Sequence, residues 1–320
     1  MAYPRGIVLH STPLHQGKSA CSGTRGHTGP CKDLRLVQWR GRTGSEPTRD
    51  TSVEKLTTMK TAKPLRILSY NTHVCIRASR SSERLRNLWK HVLPSRCKMT
   101  NLREMSRFMK SFDVVGIQES DAGSLRSYFM NHTKLLAHLG EFDHWAEQVN
   151  RQLVFARNSI GFLSRYRILD ITRHQLPGKI PGRGLMVARL DLGGESVAFA
   201  VAHLSLGHRD RIRQALYIGD IIREIQCRSI LMGDFNCTAD SDELSVISAR
   251  TGLKPAMRNM PTYPSWKPLK DIDHIMVSGG ISIRNAHVPH FCMSDHLPLA
   301  IEAVIDGDWS QGTGNLHRAA

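Results

Sequence analysis

The feature that most constrains the fold of this sequence is a series of short apolar segments of strand length, separated by turns. Each is rich in Val, Ile, Leu or Phe and too short for a typical helix, which favours strands. Gly193-Gly194 between two of them is a hairpin signal. The predicted strands lie at 65–71, 113–120, 158–166, 167–176, 184–192, 195–206, 228–236, 271–278, 281–288 and 296–305.

Five other segments carry apolar residues at helical spacing, and they are scattered between the strands. They are residues 82–93, 101–110, 124–139, 208–226 and 242–251. Hairpin-linked strands argue for mixed or antiparallel sheets rather than an all-parallel α/β fold. We therefore predict an α+β protein in which two mixed sheets pack face to face and helices cover the outside.

Composition narrows the class of protein. The chain has 320 residues, of which 40% are hydrophobic, which is too many for a wholly disordered or fibrous protein. No apolar run approaches the ~18 residues of a membrane helix, so we expect no transmembrane segment. With 44 Lys and Arg against 28 Asp and Glu, the formal charge of +16 favours polyanionic partners such as nucleic acid, anionic lipid or phosphate esters.

The globular pattern does not cover the whole chain. Residues 1–58 are rich in Gly, Ser, Thr, Pro and Arg without a sustained apolar period, so we predict a disordered leader. Met59 lies just before the first strand, and a wrongly assigned start upstream of it would also produce such a leader. We predict one domain at 59–306 and a flexible tail at 307–320.

The seven cysteines are scattered, odd in number and without a C-x-x-C pair. They therefore indicate no disulfide framework or zinc knuckle and suit a reducing compartment. Since the N-terminus also lacks the continuous apolar core of a secretory signal, we expect a cytoplasmic protein. We also expect a monomer.

Polar residues of one chemical kind follow the predicted strands. Taken singly, each of these residues could have a purely structural role instead, as an asparagine in a turn, a helix cap, a solvated strand end or a histidine in the core. Their repetition after successive apolar strands argues instead for one site at a sheet edge. The candidates are Asn71, Glu119, His203, Asp234, Asn236, Asp273, Asp295 and His296.

Four of these candidates are carboxylates, which would repel one another unless a cation lay among them. Carboxylate and amide oxygens without a Cys/His cluster favour Mg²⁺, or alternatively Mn²⁺, over zinc. A hard divalent cation in a basic protein suits a phosphate ester, whose developing negative charge it neutralises. An Asp–His pair can orient an imidazole and stabilise its cationic form.

Seven motifs occur in order along the chain: LRILSYNTH, VVGIQES, NSIGFLSRY, VAHLSL, LMGDFN, TYPSWKPLKDIDHIMVS and SDHLPL. Together they resemble the endonuclease/exonuclease/phosphatase superfamily, which includes pancreatic-type deoxyribonucleases, abasic-site endonucleases, inositol-polyphosphate phosphatases and neutral sphingomyelinases. The resemblance covers residues 65–304, and PGRG, HRDRIRQ and TYPSW are similar to stand-alone bacterial members. It implies a four-layer α/β/β/α sandwich and metal-dependent phosphoester hydrolysis.

The resemblance also implies roles around the metal. Glu119 matches the main Mg²⁺ ligand, and Asp295 matches a second carboxylate of the metal site. Asn71 matches a residue beside the metal that helps to hold both it and the phosphate. Asn236 matches a phosphate-binding amide. Arg183, in the Pro/Gly-rich loop at 177–184, is a further candidate for phosphate binding, with a solvated loop charge as the alternative.

The remaining matches concern catalysis. His203 matches a position that stabilises the pentacovalent phosphate or assists the leaving group. Asp273 matches the carboxylate that pairs with the terminal histidine, His296. Asp234 matches the residue that orients or deprotonates the attacking water, and both Asp234 and His296 are candidates for the general base.

The predicted function is therefore a Mg²⁺-dependent phosphodiesterase, most specifically a nuclease. A phospholipid or inositol-phosphate phosphoesterase is the alternative within enzymes, because every substrate of this class is anionic. A phosphate-binding module without turnover is a third hypothesis, against which the complete set of acidic residues argues. No aromatic-interleaved basic stripe selects nucleic acid among these substrates.

Overall fold

The computed structural model of the protein describes residues 63–77 and 88–305. The predicted leader at 1–58 and tail at 307–320 lie outside the described residues. In chain order the strands of the described part are β1 (Leu65–Asn71), β2 (Val114–Asp121), β3 (His144–Gln152), β4 (Arg157–Ser164), β5 (Ile168–Gln175), β6 (Gly184–Asp191), β7 (Ser196–His203), β8 (Arg228–Asp234), β9 (Lys254–Pro255), β10 (Asp273–Val277), β11 (Ile281–His287) and β12 (Leu299–Ile305).

Four α-helices accompany these strands in the described residues, together with three short 3-10 helices. The 3-10 helices are His73–Cys75, Leu88–His91 and Leu125–Ser127. All helices of residues 63–77 and 88–305 are too short or too polar to be membrane spans. The α-helices are α1 (Cys97–Met109), α2 (His132–Leu139), α3 (His208–Arg223) and α4 (Asp242–Thr251).

The strands form two six-stranded sheets, with the orders β11-β12-β1-β2-β4-β3 and β5-β6-β7-β8-β10-β9. Each sheet has one parallel pair, β1 with β2 and β7 with β8, and its other neighbours are antiparallel. A parallel pair needs a crossover connection. The segments containing α1 and α3 supply the two crossovers.

The helices cover the outer faces of the two sheets. In β1, Leu65 and Ile67 belong to the core between the sheets, whereas Leu68 packs under α1 and α2. In β8, Met232 faces the inner core and Leu231 packs under α3 and α4. This alternation along buried strands confirms the predicted α+β class and the four-layer α/β/β/α sandwich.

The helix predicted at 124–139 is wrong in its first half, since α2 begins only at His132. Asp121 holds the preceding residues in a turn, because its side chain accepts hydrogen bonds from the backbone of Gly123 and Ser124 at 3.0 and 2.8 Å. These local side-chain bonds compete with helix formation. Of the helix predicted at 82–93, only residues 88–93 are described, and they form the 3-10 helix Leu88–His91 followed by a turn.

Strand β3 was not predicted, because its sequence, HWAEQVNRQ, is mostly polar. It lies at the edge of its sheet and pairs only with β4. Its buried residues alternate with partly exposed ones, so only one side of the strand is covered. An edge strand of this kind needs few apolar residues, and its pattern in the sequence is correspondingly weak.

We predict that Gly233→Ala lowers the free energy of unfolding by about 3 kcal/mol. Gly233 has a φ of 151°, and a Cβ atom there would overlap the carbonyl oxygen of Ala202 in the neighbouring strand β7. Urea denaturation measures the change. The matched control is Gly279→Ala, where a Cβ would have no atom within 4 Å beyond its chain neighbours. Equal stability of both variants would contradict the prediction.

Candidate active site

The carboxyl ends of the two parallel strand pairs meet at one edge of the sandwich. In the first sheet, β1 ends at Asn71, and Glu119 lies near the end of β2. In the second sheet, Asp234 ends β8 and lies in register with His203 of β7 on one side and Asp273 of β10 on the other. The sheet pairing therefore places polar residues of successive strands side by side, as the sequence predicts.

A cleft of about 600 Å³ opens at this edge. Two predicted site residues, Asn71 and Asp273, lie behind the cleft wall, and each is hydrogen-bonded to a residue that lines it. The structure thus brings all the predicted site residues into one place. Those that line the cleft are Glu119, Arg183, His203, Asp234, Asn236, Asp295 and His296.

Glu119 is aimed into the cleft by an irregularity in β2. The register of β2 against β4 shifts between Ile117 and Ser120, and Glu119 has a positive φ of 53°. Such bulges re-aim a side chain and are common beside active sites. The Glu119 carboxylate is 33% exposed, while its Oε1 atom lies 3.8 Å from Nε2 of His203. Glu119 is therefore the carboxylate most accessible from the cleft among the four predicted ones.

Asp273, His296 and Asp234 form a buried array. Nδ1 of His296 donates to Oδ2 of Asp273 at 2.8 Å, and Nε2 of His296 lies 3.8 Å from Oδ2 of Asp234. Thr262 also donates to Oδ2 of Asp273, at 2.5 Å. Burial lowers the pKa of His296, but attraction by Asp273 and Asp234 outweighs it and holds the pKa well above its ordinary value. The imidazole is therefore oriented by Asp273 and carries a proton.

Asp234 is held from several sides. Its Oδ2 accepts from Nδ2 of Asn71 at 2.9 Å, and its Oδ1 accepts from the backbone N–H of Asn236 at 3.0 Å. Burial raises the pKa of Asp234 to about 7, although the neighbouring His296 opposes this effect. A buried carboxylate in this position is stabilised by any cation that enters the cleft.

The electrostatic surroundings fit a hard divalent cation. Within residues 63–77 and 88–305, the ion-pair partners of the four predicted carboxylates are histidines and not Lys or Arg. Oδ1 of Asp273 is buried and has no hydrogen-bond partner among the described residues. Ligand-type atoms of Asp234, Asp273 and His296 lie within 4.8 Å of one another. This trio differs from the predicted metal ligands, of which Glu119 and Asp295 line the cleft and Asn71 lies behind its wall.

The opposite side of the cleft carries neutral and cationic donors. Nη1 of Arg183 lies 2.9 Å from Nδ1 of His203. Burial lowers the pKa of His203 well below its ordinary value, and the positive charges of Arg183 and His296 lower it further. His203 is therefore a neutral imidazole. Asn236, at a φ of 52°, is fixed by donating from Nδ2 to the carbonyl of Leu204 at 2.9 Å.

Four further polar residues line the cleft and were missed by the sequence-based reasoning: His73, His91, Tyr263 and Lys270. His73 and Tyr263 lie inside motifs that were recognised, SYNTH and TYPSW, but His91 lies in a segment assigned to a helix. The rings of His73 and His91 have centroids 4.7 Å apart, and burial, together with His73, lowers the pKa of His91 to about 4. Both histidines lie in short 3-10 helices, so neither is the residue that ends a predicted strand.

Known proteins share this architecture. The solved endonuclease/exonuclease/phosphatase from Beutenbergia cavernae has a TM-score of 0.61 and 18% identity, covering 77% of this chain and 72% of that chain. The mannosyl-6-phosphatase of Bacteroides thetaiotaomicron has a TM-score of 0.56 and 17% identity, covering 75% and 99%. Sphingomyelinase C from Streptomyces griseocarneus has a TM-score of 0.52 and 17% identity, covering 75% and 99%. These likenesses show the fold alone.

Membership of a family rests on the sequence. No curated protein matches this sequence at a significant level. The sequence profile of the endonuclease/exonuclease/phosphatase family matches residues 68–296, which is more than half of the chain and includes every predicted site residue. The chain therefore belongs to the endonuclease/exonuclease/phosphatase family.

Proposed function

We propose that this protein is a metal-dependent phosphoester hydrolase, and specifically a phosphodiesterase of the nuclease type. The observation that carries the proposal is the single cleft in which the Asp273–His296–Asp234 array faces Glu119. Family membership supports hydrolysis of phosphoesters in general. The excess of positive charge in the chain supports an anionic substrate.

The metal we propose is Mg²⁺, with Mn²⁺ as the alternative. Glu119, Asn71 and Asp295 would hold it, since carboxylate and amide oxygens are the donors that these ions prefer. A bound divalent cation polarises the phosphoryl oxygen and neutralises the charge that develops on it. The buried carboxylates around the cleft, which have only histidines as ion-pair partners in the described residues, support this assignment.

The side chains around the cleft then have distinct tasks. Arg183 and the amide of Asn236 bind phosphoryl oxygens, and His203, held by Arg183, contacts the phosphate or the leaving group. Asp273 keeps Nε2 of His296 directed towards Asp234. Asp234 takes the proton of the attacking water, because His296 already carries a proton and can only donate one. Both residues line the cleft, and Oδ2 of Asp234 lies 3.8 Å from Nε2 of His296.

A phospholipid phosphoesterase, similar to a sphingomyelinase, is the second candidate. A surface hollow is lined by Leu125, Phe129, Leu153 and Val154. It lies close in sequence to Arg126 and Arg151, which line a smaller cavity that shares residues with the cleft. Phe129 is 72% exposed and Val154 is 86% exposed, which is unusual for adjoining apolar side chains. Such a surface can contact the acyl chains of a lipid. The cytoplasmic location and the monomeric state stay predictions.

Removal of divalent metal is expected to abolish turnover. Purified protein assayed with bis(p-nitrophenyl) phosphate should lose activity in EDTA and regain it when excess Mg²⁺ or Mn²⁺ is added. Circular dichroism before and after EDTA provides the control that the fold persists. Turnover that survives the chelator would contradict metal dependence, and absence of turnover in any condition would favour a binding module.

Glu119→Gln and His296→Ala are each expected to lower kcat/KM by about 100-fold or more, because each removes a group that acts on the reacting phosphate. Steady-state kinetics with the same diester measures this loss. Glu141→Gln and His138→Ala change the same residue types at exposed positions and should retain activity. Full activity in both site variants, with unchanged melting temperatures, would overturn the site assignment.

A substrate panel separates the two candidate functions. With Mg²⁺ present, we expect single-stranded or duplex nucleic acid to give a higher kcat/KM than sphingomyelin vesicles or inositol phosphates. Initial rates at matched phosphate concentrations provide the comparison. A clear preference for the vesicles would replace the nuclease proposal with the lipid one.

A further inference from the structure

A second cavity of about 240 Å³ adjoins the cleft beyond Glu119. The two cavities share His91, Glu119, Arg183 and His203, so they are continuous at the point where a scissile phosphate would lie. The proposed chemistry uses none of the residues that line only the second cavity. The cavity is lined by three arginines, which are Arg126, Arg151 and Arg183.

Arg126 is a pre-organised member of this group. Its side chain is only 5% exposed, and its Nε atom donates to Oδ2 of Asp121 at 2.5 Å. Nη2 donates to Oδ1 of Asn158 at 2.6 Å, while Nη1 lies 3.5 Å from the carbonyl of His91. A guanidinium held in this way loses little conformational entropy when a ligand binds.

Arg151 and Arg183 provide positive charge to a cavity whose lining includes one carboxylate, Glu119. Among the described residues, neither has a carboxylate within ion-pair distance, whereas Arg126 has Asp121. The stem of Arg151 is packed against the 177–184 loop, because a Cβ on Gly182 would lie only 3.1 Å from its Cβ and Cδ atoms. The two arginines thus face the cavity from positions that the fold determines.

The cavity also holds neutral polar groups. Asn150 is 9% exposed and lines the cavity. The amide N–H groups of an asparagine can donate hydrogen bonds to phosphate oxygens without adding charge. Asn158 and Ser159 lie on the same wall. The site therefore combines cationic and neutral polar groups around one space.

We propose that this cavity is an anion subsite that binds a second phosphate group of the same substrate, next to the phosphoester that is cleaved. The inference rests on the proposed function, because the first phosphate defines where the second must lie. Arginine guanidinium groups match phosphate oxygens in geometry as well as in charge. Because Arg183 lines both the cleft and the second cavity, the two phosphates would lie close together.

The subsite narrows the substrate class. Substrates with neighbouring phosphates include polynucleotides and inositol bisphosphates, and both present the same chemistry to the three arginines. A phosphocholine headgroup has one phosphate and a cation, which Arg151 and Arg183 would repel. We therefore expect kcat/KM to be higher for any doubly phosphorylated substrate than for its singly phosphorylated counterpart.

The kinetic experiment uses substrates that differ only in the second phosphate. One arm compares the p-nitrophenyl ester of thymidine 5′-phosphate with and without a 3′-phosphate, and the other compares inositol 1,4-bisphosphate with inositol 1-phosphate. We expect the second phosphate to raise kcat/KM about tenfold in at least one arm. The arm with the larger gain identifies the source of the phosphate, and no gain in either arm overturns the subsite.

The matched variants are Arg151→Gln and Arg107→Gln. Arg151→Gln should reduce the advantage of the second phosphate to about one- to two-fold. Arg107 is exposed on α1 and lines neither cavity, so its variant should keep the advantage. An advantage that is the same in the wild type and in Arg151→Gln would contradict the assignment, provided that both variants have the wild-type melting temperature.

Binding measured without turnover separates this inference from the proposed function. In EDTA, calorimetric titration compares thymidine 3′,5′-bisphosphate with thymidine 5′-monophosphate. The bisphosphate should bind about tenfold more tightly to the wild type and to Arg107→Gln, but not to Arg151→Gln. If none of the substrates is turned over, the proposed function fails while this titration still decides the subsite, and equal affinities would then refute it.

Discussion

The hydrogen bond from Asn71 to Asp234 joins the two sheets at the site, and the arrangement of the cleft depends on it. Asn71 ends β1 in the first sheet, and Asp234 ends β8 in the second, 163 residues later. Both side chains are buried, so water cannot replace the bond without cost. Because each strand belongs to the parallel pair of its sheet, this contact brings Glu119 near the end of β2 close to His203 at the end of β7, with Oε1 of Glu119 3.8 Å from Nε2 of His203.

The charge of the chain and the charge of the site have opposite signs. The molecule carries a formal charge of +16, yet buried acids form the base of its cleft. The arginines of the site do not neutralise these acids, since Arg183 contacts His203 instead. The carboxylates at the bottom of the cleft attract a cation, and the arginine beside them attracts an anion. A metal-assisted phosphoester reaction requires both.

Most of the architecture could be predicted because its elements have strong local patterns. The buried strands are apolar on both faces, and they were recognised without knowledge of their partners. Strand β3 was missed because an edge strand needs few apolar residues. The start of α2 was misplaced because the Asp121 carboxylate binds the backbone of the preceding turn, a contact that helical spacing does not reveal. The cleft residue His91 was missed because it lies in a short helix, Leu88–His91, and does not end a predicted strand.

The sequence by itself determined most of the strands, the class of fold and the polar residues that end the central strands, because hydrophobic patterning is local. Only the tertiary structure decided which of those residues meet. Packing of the sheets makes His296 cationic between two carboxylates and His203 neutral beside Arg183, although the two residues have the same side chain. It also places Arg126, Arg151 and Arg183 around one cavity. These outcomes depend on burial and on distances between segments far apart in the chain.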